Sequence, residues 1–379
     1  MAKKIIGIST MILLLIVSGC TPSIKKDTEV IQDTEQKTTK KVIIPSLQLD
    51  DTYYRTLLPY EASASRGLVV SNLATKYDMK EVESGLLRIS QKEFSPDKYL
   101  FQEGQYLDRK TTISWLARSS QTSDGLNPSD EGLTGEEKAK KAPVYITHIV
   151  EQDYLKKEGN TVTLAGISLG LALNSIYYYQ KEAYGATYEE ALSQKEIEEN
   201  GKRIAEEVVT RMRQKNEALA NVPIVVGLFK QNSRNAVVPG TYFTYSVAAS
   251  GKNVSDWKAI DEEYLLFPTA ESEKKYRDLD TIFRNFKQDV ETYFSNYTSV
   301  IGTGYFKDKQ LQKLTITIPI QFYGTAEIIG FTQQLAGLLK DHFDTSMNVE
   351  VNVKSMNGAE ALLIKKPGDE EPYVHIYSQ

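Results

Sequence analysis

Hydrophobic and polar positions divide the chain into an apolar leader, a polar stretch and a long region of alternating helix and strand patterns. Lys3 and Lys4 precede an almost wholly apolar run, Ile5 to Val17, which closes on Ser18, Gly19 and Cys20. A positive start, an apolar run of roughly 7–15 residues and small residues at a cut make up a secretory signal peptide. The run is also shorter than the roughly 20 residues of a spanning helix. With Cys at the cut the pattern is a bacterial lipobox. It predicts a signal peptide over residues 1–19, cleaved between Gly19 and Cys20, with a diacylglyceryl lipid on Cys20. That lipid would hold the chain to the cell membrane on its extracytoplasmic side, making the membrane and the lipoprotein-processing enzymes its first partners.

Residues 20–50 are rich in Lys, Thr, Gln, Asp and Glu, with few apolar positions, and predict a disordered polar tether. Order is expected from Asp51. Leu68, Val69, Leu73 and Tyr77 recur at helical spacing, as do Met79, Val82, Leu86 and Leu87. Two short strand-type runs, Tyr99–Gln102 and Gln105–Asp108, flank Glu103-Gly104 and predict a hairpin, after which Thr112 is placed to cap a helix. Residues 119–141 form a long polar loop, expected to be mobile. Strands are predicted over Val144–Leu155 and from Thr161 towards Tyr179, an amphipathic helix over Glu196–Gln214, and strands over Ile224–Phe229 and Thr241–Ala248.

The same order returns later. Leu314, Ile316, Ile318, Ile320 and Phe322 alternate along a strand, Ala326–His342 is helical, and Asn348–Val353, Ala361–Ile364 and Tyr373–Tyr377 are strands. This repetition reads as an internal duplication. The expected fold class is α+β: two related β-α-β-β halves, with antiparallel or mixed sheets under packed helices, behind a smaller helical and hairpin N-terminal region. The halves are set at residues 51–250 and 251–379, the second opening on a long helix, Ser272–Tyr297. In that helix Leu279, Phe283, Phe286, Val290 and Tyr293 form a stripe that reads as core-facing.

Charge narrows the partners. The formal net charge is −5, and loss of Lys3 and Lys4 with the leader takes it to −7. An acidic chain has no electrostatic footprint for nucleic acid, so no nucleic-acid partner is expected. The one Cys lies in the lipobox, so the exported region carries no disulfide. Tyrosine is abundant at 23 residues, which suits half-buried strand positions or a Tyr-lined ligand groove.

Candidate chemistry is sparse. Gly166-Ile167-Ser168-Leu169-Gly170 matches the G-x-S-x-G pattern, which makes a cell-surface serine hydrolase acting through Ser168 the alternative reading. That motif needs a sharp strand-to-helix turn at the serine, whereas here the apolar alternation continues through it. Gly166, Ser168, Gly170 and Ala172 instead share one face as a stripe of small residues, a possible groove that a helix or ligand could approach closely. His148, His342 and His375 lack metal-ligand spacing, and no Gly-rich phosphate loop is present. Glu189-Glu190 and Glu198-Glu199 are sequence neighbours that point apart. No catalytic residue, cofactor or metal is therefore expected, and the mature region reads as a non-catalytic binding module.

From Tyr53 onward a series of short motifs runs through Tyr54-Arg55-Thr56-Leu57-Leu58-Pro59, Asp97-Lys98-Tyr99-Leu100, Gly125-Leu126-Asn127-Pro128-Ser129 and Glu151-Gln152-Asp153. It continues through Asn174-Ser175-Ile176-Tyr177-Tyr178-Tyr179, Tyr293-Phe294-Ser295-Asn296, Tyr323-Gly324-Thr325-Ala326-Glu327 and Val374-His375-Ile376-Tyr377-Ser378. In these motifs the chain resembles the CamS family of sex-pheromone-precursor lipoproteins of low-GC Gram-positive bacteria. The resemblance implies an α+β mature domain. It also implies that a peptide freed from the end of the leader, here Leu13, Leu14, Leu15, Ile16, Val17, Ser18 and Gly19, can act as a mating pheromone read by a receptor and induce conjugation.

Overall fold

The computed structural model describes residues 27–33, 39–293, 299–321 and 324–377. The leader, Cys20 and the peptide Leu13–Gly19 lie outside the described residues. In chain order the first elements are strands β1 (Thr28–Asp33), β2 (Thr39–Ile44) and β3 (Arg55–Thr56), and helices α1 (Val69–Asn72) and α2 (Lys76–Ser90). Next come β4 (Leu100–Glu103), α3 (Arg109–Leu116), α4 (Gly135–Lys141), β5 (Ile146–Glu158) and β6 (Thr161–Leu173). A small hairpin of β7 (Ile176–Gln180) and β8 (Thr187–Ala191) precedes α5 (Gln194–Lys215), α6 (Glu217–Ala220), β9 (Ile224–Lys230), β10 (Thr241–Ala248) and β11 (Lys258–Ala259). The remainder is β12 (Glu262–Phe267), α7 (Ala270–Lys275), α8 (Arg277–Tyr293), β13 (Ile301–Lys307), β14 (Gln310–Pro319), α9 (Thr325–His342), β15 (Val349–Ser355), β16 (Gly358–Lys365) and β17 (Tyr373–Ile376).

The repeat read from the sequence is a repeat of topology. The first sheet runs β11-β10-β9-β6-β5-β4-β3 and the second β12-β13-β14-β15-β16-β17. In each, two antiparallel steps (β4-β5-β6 and β12-β13-β14) lead to one parallel pair, β6-β9 or β14-β15. The helix α5 or α9 makes that crossover, and two antiparallel strands close the unit. A parallel pair needs such a crossover, which is why a long amphipathic helix falls at the same place in both units. The boundary lies between β11 and β12, near residue 260, rather than at 250.

Each unit buries its own core. Ile204, Val208 and Met212 of α5 pack on Ile167, Leu169 and Leu171 of β6 and on Val226 of β9. Val82, Leu86 and Ile89 of α2 cover the opposite face of the same sheet with Phe94, Val150, Tyr154 and Tyr242. In the second unit Phe283, Phe286 and Val290 of α8 and Phe331, Leu335 and Leu339 of α9 lie over Leu314, Ile316 and Ile318.

Several expectations are corrected. The stretch 20–50 is not wholly a tether: β1 and β2 pair antiparallel, Thr28 opposite Ile44, and β1 runs parallel to β6 at Ile31 and Gln32. Val30, Val42 and Ile44 fall on one face and close against Leu57, Leu100, Leu155 and Val162, so the larger sheet supplies the core this polar segment lacks. The hairpin over Tyr99–Asp108 does not form. β4 pairs with β5 and β3, while residues 105–107 give their backbone N–H groups to carboxylates: Gln105 to Asp153 (3.0 Å), Tyr106 and Leu107 to Glu151 (3.1 and 2.8 Å). Asp108, not Thr112, caps α3, accepting the Thr111 N–H at 2.8 Å. The polar stretch 119–141 contains α4 and is fastened by the buried Arg118, which donates to the carbonyls of Pro128 (3.1 Å) and Ala142 (2.7 Å). The long helix breaks at Tyr276, whose backbone leaves the helical region at φ −138°, ψ 60° while its ring stacks on Phe306 at 3.9 Å. Phe322 and Tyr323 lie outside the described residues.

Candidate ligand-binding site

The small-residue stripe is closed. Along β6, Gly166, Ser168, Gly170 and Ala172 stand opposite Tyr154, Gln152, Val150 and His148 of β5. A Cβ at Gly166 would meet the Phe94 ring at 2.2 Å, and one at Gly170 the Tyr242 hydroxyl at 2.3 Å. Glycine is therefore required so that two aromatic rings can seat under α2, and no open groove remains there. Ser168 is fully buried, its Oγ 2.7 Å from Ser90 Oγ on α2. The strand runs straight through it, so the strand-to-helix turn of a hydrolase is absent at this serine. His148 lies four residues along β5 from the partner of Ser168, a separation of about 13 Å, too far for a general base.

An open site lies beside the stripe, between α2, β4 and β5. A cavity of about 310 Å³ is bounded by residues 63–69, by Lys80, Glu83, Ser84 and Leu87 on one stripe of α2, by Phe101 and Glu103 of β4, and by residues 148–152 of β5. The helix is held by its N-terminus. Thr75 caps it by accepting the Asp78 N–H, and the buried Asp78 carboxylate accepts the Gly240 N–H at 2.8 Å. Burial raises the Asp78 pKa even against these bonds. Gln152 pins the middle of α2, donating to the Glu83 carbonyl at 2.9 Å and accepting from the Tyr154 hydroxyl at 2.9 Å.

Most polar groups at the rim are already bonded. Glu103 accepts from the Tyr60 hydroxyl and the Ser63 N–H and lies 3.5 Å from Arg66. Burial and the Glu103 bond push the Tyr60 hydroxyl up to about 12. The Ser84 hydroxyl donates to the Lys80 carbonyl at 2.9 Å. His148 differs: it is 2% exposed, lines the cavity, and its Nδ1 has no hydrogen-bond partner. Desolvation lowers its pKa to about 4, so it is a neutral imidazole at pH 7. Glu83 stands at the mouth, its pKa raised first by desolvation and then by the Glu103 charge, with Arg66 opposing.

The other sequence candidates scatter. His342 Nε2 lies 2.7 Å from Asp289 at the end of α9, and His375 packs edge-on to Tyr377 at the far end of the second sheet. Among the described residues, no group of three or more His, Cys, Asp or Glu is placed to hold a metal ion. The sequence reading missed the cavity because its walls come from four separate segments. The one local sign was His148 at an inward position of an apolar strand.

An α+β scaffold built from two units of one topology, with a partly apolar cavity under a helix of the first unit, defines the class of protein. Comparison with known proteins places it more closely. A family model described as CamS sex pheromone cAM373 precursor matches residues 60–371, and the chain belongs to that family. It is similar to the sex pheromone precursor from Lactobacillus salivarius subsp. salivarius, at 36% identity and a TM-score of 0.82 over 88% of this chain and 98% of that one. It is also similar to the C-terminal domain of the sex pheromone staph-cAM373 precursor from Staphylococcus aureus, at 34% identity and a TM-score of 0.71 over 82% of this chain and all of that domain (100%). Among curated proteins none matches the sequence.

Proposed function

We propose that this chain is a lipid-anchored precursor on the extracytoplasmic face of the cell membrane, and that it has two products. Cleavage between Gly19 and Cys20 leaves a mature region held by a diacylglyceryl group on Cys20. The leader remnant, trimmed to Leu13–Gly19, acts on a receptor of another cell as a conjugation-inducing peptide. The observation that carries this reading is membership of the precursor family joined to a leader that ends in a lipobox. Among the described residues no helix is long and apolar enough to cross a membrane. The mature region acts by binding rather than catalysis, a reading supported by the burial of Ser168 and the neutral, isolated His148.

Each part has its own test. A metabolic fatty-acid label on the chain is expected to disappear in Cys20→Ala; a label retained there refutes the anchor. Synthetic Leu13–Gly19 peptide, given to plasmid-bearing donor cells, is expected to raise transfer frequency in proportion to dose, and a flat response refutes the signal. An active-serine reagent is expected to label wild type and Ser168→Ala equally or not at all. Labelling that Ser168→Ala abolishes restores the hydrolase.

A further inference from the structure

The charges at the mouth of the cavity are unevenly used. Glu103 and Arg66 face each other, and Glu151 is held by two backbone N–H groups inside the fold. Lys80 and Glu83, one turn apart on α2, both line the cavity, yet among the described residues neither side chain has a hydrogen bond or ion pair. One cation and one anion on a single helical stripe thus lack a direct partner, Lys80 lying only within electrostatic reach of Glu350 of β15 and Glu83 within that of Glu103 and Arg66. Behind them the wall is Val69, Leu87, Phe101 and Val150, and the inner end carries the buried His148, whose Nδ1 has no hydrogen-bond partner. Leaving a buried polar atom unsatisfied is unfavourable, a penalty that a ligand's hydrogen bond to His148 Nδ1 would remove.

We infer that this cavity binds a zwitterionic apolar ligand the size of a dipeptide. Its ammonium meets Glu83, its carboxylate meets Lys80, and its side chains lie on Leu87 and Phe101 with the peptide group towards His148. The raised pKa of Glu83 fits, because desolvation and the nearby Glu103 charge both disfavour its charged form and an incoming ammonium opposes them. Size argues in the same direction. About 310 Å³ is at the small end of ligand pockets, which run from roughly 300 to 1,000 Å³, so a longer peptide does not fit inside. A neutral imidazole pairs with an amide as donor or acceptor, whereas an anion would prefer a charged partner. A fatty acid would leave Glu83 facing carboxylate or hydrocarbon.

This inference rests on reading the mature region as a binding module, and the test separates the two. The full chain, reconstituted in phosphatidylcholine nanodiscs, is titrated calorimetrically with Leu-Leu, with N-acetyl-Leu-Leu, with Leu-Leu amide and with octanoate. Leu-Leu is expected to bind, and capping either end to weaken it about tenfold. Glu83→Gln is expected to weaken Leu-Leu about tenfold and leave N-acetyl-Leu-Leu unchanged, with Lys80→Gln doing the same for the amide. His148→Phe, which fills the inner end, should abolish binding; Glu83→Gln at the surface keeps the test valid if that variant fails to fold. Equal affinity for all three dipeptide forms overturns the zwitterion, as does octanoate binding without Leu-Leu. That second outcome leaves the binding module standing. No heat from any of the four ligands overturns the cavity as a site.

Discussion

The two sheets share a six-strand order in which one parallel step is crossed by a helix, but they are covered differently. In the first unit α5 packs on one face and α2 on the other, so β6 is buried continuously from Gly166 to Leu173. In the second unit α8 and α9 share one face, and β14 alternates between buried Leu314, Ile316 and Ile318 and half-exposed Thr315 and Thr317. A strand covered on both faces reads as an apolar run, and one covered on a single face as a strict alternation. The difference comes down to one helix. The helix α2 has no counterpart among the described elements of the second unit, and the cavity lies under that helix. Its other side meets the second sheet, where Arg88 pairs with Glu81 and with Glu262 of β12 (3.0 Å) and lies 4.8 Å from the Tyr305 ring. Tyr264 also donates to Glu81 at 2.8 Å.

The comparison can be broken hardest at that contact. Arg88→Met leaves Glu81 and Glu262, whose side chains are 7% and 5% exposed, without their cation. Loss of one partner of a buried pair costs about 3–5 kcal/mol. Urea unfolding should show that loss, with the two units melting in separate steps.

The next effect is a pH dependence confined to the first unit. Because the folded pKa of His148 is depressed to about 4 from 6.5, the unfolded chain takes up the proton first. The stability it contributes is full above pH 6.5 and falls as pH drops towards 4, by up to about 3 kcal/mol. Asp78 and Glu83, with raised pKa values, shift stability in the opposite direction over the acid range. The difference between wild type and His148→Gln, measured by urea midpoints from pH 7.5 to 4, isolates the histidine, and parallel curves would refute its burial as a neutral ring.

Packing sharpens the comparison further. Gly170→Ala on the doubly covered face forces a methyl to within 2.3 Å of the Tyr242 hydroxyl and should cost about 1–3 kcal/mol. Thr317→Ala on the half-exposed face of β14 should change stability by less than about 0.5 kcal/mol. Similar costs at the two positions would mean that the second sheet is covered as fully as the first.

Much of this fold was legible because its periodicities were long. The elements α5, β9, β10, α9 and β15 lie within a few residues of their expected ends, and the small residues of β6 mark a face that aromatic rings approach closely rather than an open groove. What approaches was not readable: Phe94 and Tyr242 come from 70 or more residues away. The strands β1 and β2 escaped notice because Val30, Val42 and Ile44 are too few to order a segment alone, and their partners are distant in sequence. The break at Tyr276 was hidden because the apolar spacing continues through it. The cavity was least legible of all, since Lys80 and Glu83 look like any exposed helical face until β5 is placed beneath them.

The pairing of β1 with β6 also sets how close the body would lie to the lipid proposed on Cys20. A free coil of 30 residues would have let the domain drift through the surrounding layer. With the lipid on Cys20 as proposed, only the seven residues Thr21–Asp27 lie between it and Thr28, a leash of at most about 25 Å. The domain would then ride moored against the bilayer through its β1–β2 hairpin. What it meets would be set by the thin layer of fluid at the membrane rather than by the wall beyond.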